Sequence, residues 1–99
     1  MSTQSNKVAI VTGASRGIGG AIAQRLARDG FAVAVNYAGD TRSAEALVKQ
    51  IGAAGGQAIA VKADVADASA VRALFDATEK AFGGVDVLVN NAGIQHVAP

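Results

Sequence analysis

Along the chain, short continuous apolar runs alternate with longer stretches in which apolar residues recur every three or four positions. Val8-Ala9-Ile10-Val11 is rich in β-branched residues and preceded by polar ones, the pattern of a strand buried on both faces. Thr12-Gly13-Ala14-Ser15-Arg16-Gly17 then turns into a helical pattern, with Ile18, Ile22 and Leu26 on one side and Ala23 and Ala27 beside them. Gly30, close after Arg28, predicts its stop. Phe31 to Val35 predicts a second strand, and the polar stretch Asn36 to Ser43 a loop. Ala44, Leu47, Val48 and Ile51 form the inner face of a second helix that ends at Gly55-Gly56. Ala58 to Val61 predicts a third strand. Asp67 is placed to cap a third helix carrying Val71, Leu74, Phe75 and Phe82 on one side, with Gly83-Gly84 as its stop. Val85 to Val89 predicts the fourth strand, which runs into Asn90-Asn91-Ala92-Gly93.

The order βαβαβαβ predicts an α/β fold with a parallel sheet flanked by helices. Right-handed crossovers that step the same way across a sheet put their helices on the same face. With strands in the order 3-2-1-4, the first two helices share one face and the third covers the other. The crevice where the order reverses, between strands 1 and 4, is where a ligand is expected. Strand 4 is then an apolar edge, which natural sheets seldom leave open. The pattern is half of a doubly wound fold, its other strands coming from more chain or from a partner.

Composition narrows the reading. The 99 residues fit one small domain, with a polar tail at 1–6 expected to be disordered and a nucleotide-binding half-domain at 7–99. Hydrophobic residues make up 51%, enough to bury a core, and the net charge of +1 comes from interspersed rather than blocked charges. No basic stripe or aromatic platform points to nucleic acid. The absence of cysteine excludes disulfides and thiolate metal sites. Met1 to Lys7 lacks the apolar core of a signal peptide and no apolar run approaches the length of a bilayer, so a cytoplasmic protein without membrane contact is expected.

The glycine turn carries the chemistry. Gly13-x-x-x-Gly17-x-Gly19 lies between a predicted strand and a predicted helix, the context that gives such a motif meaning. Gly13 suits the positive φ of a tight exit turn. Gly17 leaves room for a pyrophosphate, and Gly19 lets the helix pack closely. Unpaired amides in the first helical turn are electropositive and attract a diphosphate. The alternative is a packing cluster without ligand. No Lys-Ser or Lys-Thr follows Gly17, against an NTPase phosphate loop.

Thr12-Gly13-Ala14-Ser15-Arg16-Gly17-Ile18-Gly19, Asp64-Val65 after the third strand, and Asn90-Asn91-Ala92-Gly93 after the fourth resemble the short-chain dehydrogenase/reductase family over the chain from Lys7 onward. The resemblance implies a Rossmann-type fold and hydride transfer between a nicotinamide dinucleotide and a small alcohol or ketone, in an enzyme that works as a homo-oligomer. It places Gly13, Ser15, Arg16, Gly17, Ile18 and Gly19 around the phosphates and ribose. It puts Asp64 and Val65 at the adenine, and Asn90, Ala92 and Gly93 beneath the nicotinamide-side ribose, with Asn90 also tying the central strands. The stretch Gly93 to Pro99 is similar to part of short-chain 3-hydroxybutyrate dehydrogenases, which implies Gln95 as a substrate-carboxylate contact; His96 reads as a loop residue.

An acid at the end of strand 2 grips the ribose 2′-hydroxyl in many NAD enzymes, and Val35-Asn36-Tyr37 supplies none. With Asn36 at the ribose and Arg16 in the glycine loop, NADP is expected; NAD, with Asp40 bending back to the ribose, is the alternative. The missing acid also disfavours an adenosylmethionine site. Catalysis in the family needs a serine and Tyr-x-x-x-Lys. The only tyrosine, Tyr37, has Thr41 four positions on, so these residues alone are expected to be inactive: part of an oxidoreductase, or a non-catalytic half-domain that pairs with another chain.

Overall fold

The computed structural model describes residues 7–15 and 17–91. Its elements are β1 (Val8–Val11), α1 (Gly17–Arg28), β2 (Ala32–Tyr37), α2 (Thr41–Ala53), β3 (Gln57–Lys62), α3 (Ala68–Phe82) and β4 (Val87–Val89). The four strands form one sheet in the order β3-β2-β1-β4, and each pairing is parallel. The architecture is the Rossmann-type half expected from the alternation of elements.

The two central strands are buried along their whole length, as their continuous apolar runs require. Val11, Val33, Val35 and Tyr37 meet Ala23 of α1 and Ala44, Leu47 and Ile51 of α2 on one face. Ile10, Ala34 and Ala63 meet Leu74 of α3 on the other. The helices therefore divide two and one across the sheet, as right-handed crossovers demand. Thr78, fully buried in α3, donates its hydroxyl to Leu74 O at 2.8 Å, so a polar residue serves the inner stripe without leaving an unpaired group.

Several boundaries differ from the sequence-based expectation, three of them for a plain physical reason. β2 runs on through Asn36 and Tyr37, because β3 supplies partners for them at Val61 and Lys62. Tyr37 thus closes the core instead of sitting in a loop. α2 starts at Thr41, earlier than its first apolar residue, because Asp40 caps it: the carboxylate accepts from Ser43 N at 3.0 Å and Ser43 Oγ at 2.6 Å. β4 begins at Val87, since Asp86 closes the ladder. Val8 N donates to Asp86 Oδ2 and Asp86 N to Val8 O, both at 2.8 Å.

The other helix signals stand where the sequence puts them. Asp67 caps α3 through Ser69 N at 2.9 Å, and Gly83 ends it in the left-handed conformation at φ 91°. Among the described residues β4 pairs only with β1, and Leu88 is half exposed there. No helix of the described residues is long and apolar enough to cross a membrane.

Candidate functional site

The carboxyl ends of β1, β2, β3 and β4 deliver the candidate residues to one end of the sheet. Gly13 leaves β1 with φ 59° and Gly17 opens α1 with φ 67°, conformations that glycine adopts without the cost a Cβ brings. A Cβ on Gly17 would meet no protein atom within 4 Å, so the space above it is left open. Gly19 is the opposite case. A Cβ there would strike Gly13 O and lie 2.5 Å from Asn91 Nδ2. This glycine serves contact with the turn and with Asn91 rather than with the strand alone.

Polar side chains hold the turn from both sides. Thr12, buried at the end of β1, donates its hydroxyl toward Val89 O and Asn90 Oδ1, each at 3.3 Å, and its backbone N to Val89 O at 3.0 Å. Asn91, also buried, donates from Nδ2 to Gly13 O at 3.1 Å. Asn91 Oδ1 is buried without a partner. The tie expected of Asn90 alone is thus shared with Thr12 and Asn91, which the sequence reading passed over. The signal for Thr12 was present, since a polar residue directly abutting a buried strand needs an internal partner.

Asn36 is not where the sequence reading put it. Its side chain turns into the fold, 2% exposed. Nδ2 donates to Val61 O at 3.3 Å and Ala63 O at 3.1 Å, and Oδ1 accepts from Gly13 N at 3.2 Å. Both donor hydrogens are spent on backbone, so none remains for a ribose. Its neighbour Tyr37 is buried as well. The strand end that carries no carboxylate is thus closed by packing, with Asn36 and Tyr37 both buried.

Asp64 is exposed, with Oδ1 accepting from Ala66 N at 2.9 Å. With Val65, Thr12, Val71, Phe75, Leu88 and Asn90 it borders a cleft of about 370 Å³. A second groove of about 410 Å³ passes Ser15 and Gly17 and runs between α1 and α2 to Ser43. A larger cleft of about 630 Å³ lies between the C-terminal halves of the same helices, at Ala27, Arg28, Ala54 and Gly55, remote from the glycine turn. Arg16, Ala92, Gly93, Gln95 and His96 lie outside the described residues.

These features fit a diphosphate. There is open space over Gly17, no carboxylate in the first turn of α1, and an exposed Ile18 beside them. The amides of that first turn lack intrahelical partners and carry the positive end of the helix dipole. Asp40, the acid that could have reached a ribose, holds Ser43 as the cap of α2.

Comparison with known proteins agrees with this geometry. The family model described as short chain dehydrogenase matches residues 7–99. An uncharacterized oxidoreductase of Methylorubrum extorquens is 56% identical over 98 residues, spanning 99% of this chain and 40% of its own length. The 3-oxoacyl-[acyl-carrier-protein] reductase of Staphylococcus aureus is 56% identical over 88 residues, 89% of this chain and 36% of its own. The crystal structure of a short chain dehydrogenase from Burkholderia cenocepacia in complex with NADP superposes with a TM-score of 0.81 at 55% identity, over 85% of this chain and 34% of that one. The chain thus spans well under half the length of the relatives it matches.

Proposed function

The chain belongs to the short-chain dehydrogenase family, and from that premise we propose that it is the cofactor-binding part of an NADP(H)-dependent oxidoreductase acting on a small alcohol or ketone of 3-oxoacyl or 3-hydroxy acid type. The family binds NAD(P), and the dinucleotide supplies or accepts the hydride when bound. The observation that carries the reading is the cradle at the glycine turn, with open space over Gly17 at φ 67° and Gly19 wedged against Gly13.

In this reading Gly13, Ser15, Gly17, Ile18 and Gly19 surround the diphosphate and its ribose, with Arg16 beside them. Asp64 accepts from the adenine amino group and Val65 lines its pocket. Asn90, Ala92 and Gly93 pass beneath the second ribose, and Gln95 meets the substrate. Residues 7–99 are the half-domain that binds, without the Tyr-x-x-x-Lys needed for turnover. The complete enzyme is a cytoplasmic homo-oligomer, an assignment supported by the family resemblance.

Two things support NADP over NAD. Asp40 is committed to capping α2, and the similar Burkholderia cenocepacia enzyme carries NADP. The 3-oxoacyl substrate class rests on the Staphylococcus aureus reductase. Arg16→Ala tests the cofactor: it is expected to weaken NADPH binding at least about tenfold more than NADH binding, the size of one lost charge-assisted phosphate contact. Equal losses would overturn the assignment.

The half-exposed Leu88 on β4 favours one other reading, a non-catalytic half-domain that covers this edge with a second chain. Sedimentation of the 99-residue chain as a stable dimer that binds NADPH without turnover would favour it.

A further inference from the structure

We infer that Asn36 is a positioning residue that locks the phosphate turn to the adenine loop, so that the two halves of the dinucleotide site are held in one register. The inference rests on the dinucleotide reading above and adds a role for a residue that touches no cofactor.

The sheet alone does not provide this lock. The β1–β2 ladder ends at Val11 with Val35, and the β2–β3 ladder ends at Tyr37 with Lys62. Gly13 and Ala63 lie beyond these ends, on exits from strands that do not pair with each other. One carboxamide spans them. Asn36 Oδ1 takes the Gly13 N–H at 3.2 Å, while Nδ2 gives its hydrogens to Val61 O at 3.3 Å and Ala63 O at 3.1 Å. Backbone bonds reinforce both sides: Ala14 N donates to Asn36 O at 2.8 Å and Ala63 N to Tyr37 O at 2.9 Å. The Ala63 peptide unit is gripped through both its neighbours in β2, and Asp64 leaves it in a fixed direction.

Only a short carboxamide meets the requirement at this depth. It offers two donors and an acceptor on one planar group. An aspartate would set a second carboxylate oxygen against the carbonyls of Val61 and Ala63. An apolar residue would leave the buried Ala63 O and the part-buried Gly13 N without the side-chain partner they have here. Because the group is 2% exposed, its bonds work in a medium of low effective dielectric, where each constrains geometry more strongly than at the surface.

The test compares Asn36→Ala and Asn36→Asp with the unaltered full chain, titrating NADPH and NADH well below each melting temperature. Both variants are expected to lose about tenfold or more in affinity, consistent with two or three weakened bonds. The loss should be equal for the two cofactors, leaving their ratio unchanged. A shifted ratio would mean that Asn36 contacts the 2′ position itself, and unchanged affinity in a folded variant would reduce it to a packing residue; either result overturns the inference. Should neither variant fold, amide exchange in the unaltered chain decides. Adenine, which has no phosphate to reach the turn and is bound at the Asp64 side, is expected to slow exchange at Gly13 several-fold, and no effect refutes the coupling. If the unaltered chain binds neither dinucleotide nor adenine, the dinucleotide reading fails separately. The lock then stands or falls on whether Asn36→Ala or Asn36→Ser speeds exchange at both Gly13 and Ala63.

Discussion

Replacing Gly19 by alanine adds one methyl group at the most crowded point of the glycine turn. The new Cβ would lie 2.5 Å from Asn91 Nδ2 and 3.0 Å from Ala14 Cα, and closer still to Gly13 O. Carbon makes comfortable contact at roughly 3.5–4.0 Å, so the turn and α1 must part by about 1 Å. Overpacking of this kind costs about 1–3 kcal/mol. The displacement also strains the Asn91–Gly13 bond, 3.1 Å long. Losing it costs about 1 kcal/mol, and a further ~1–3 kcal/mol if the buried Asn91 amide is left with no partner. The better helix propensity of alanine returns about 1 kcal/mol, for a net loss of roughly 1–3 kcal/mol if the bond alone is lost and roughly 2–6 kcal/mol if the amide is stranded. Urea denaturation of the full chain measures it, and NADPH titration of the folded variant reads the accompanying damage to the turn. The double variant with Asn91→Ala should lose less than the two single losses added, since one clashing partner is gone. A Gly19→Ala protein within about 0.5 kcal/mol of the original, with unaltered NADPH affinity, would refute the account of the turn.

Gly52→Ala is the control in the opposite direction. Gly52 lies inside α2 where a Cβ meets nothing within 4 Å, so the change is expected to stabilise by about 0.5–1 kcal/mol in the same urea assay. Asp40→Ala removes the cap of α2 and its two bonds to Ser43, with an expected cost of about 1 kcal/mol. The NADPH-to-NADH affinity ratio should not change with it; a rise in that ratio would show that the carboxylate had been reaching the ribose of NADH.

Most of the architecture was legible in the residues. Continuous apolar runs mark strands buried on both faces, and three-to-four spacing marks helices that cover them. Asp67 and Gly83 bounded α3 where the structure has its caps, because capping is local chemistry between residues a few positions apart. The glycine turn could be read for the same reason: a strand, a turn and a helix start lie within a dozen residues.

What escaped depends on residues distant in sequence. Asn36 and Tyr37 looked like loop residues until Val61 and Lys62 came alongside. A parallel partner about 25 residues away leaves no local trace. The role of Asn36 inside the fold is equally invisible locally, since its type gives its donors and acceptor but not the face it occupies. Strand alternation places it on the face opposite Val35 and Tyr37, with its carboxamide bonded to Gly13, Val61 and Ala63. Asn91 and Gly19 were separately visible as a polar residue and a glycine, yet only the meeting of β1 and β4 put the amide where a Cβ would have stood. The sequence by itself determined the elements, their order and the chemistry available at their ends. Tertiary structure alone decided which polar groups were consumed inside the fold and which stayed open to a ligand, because that division follows from the register of parallel strands whose pairing lies far along the chain.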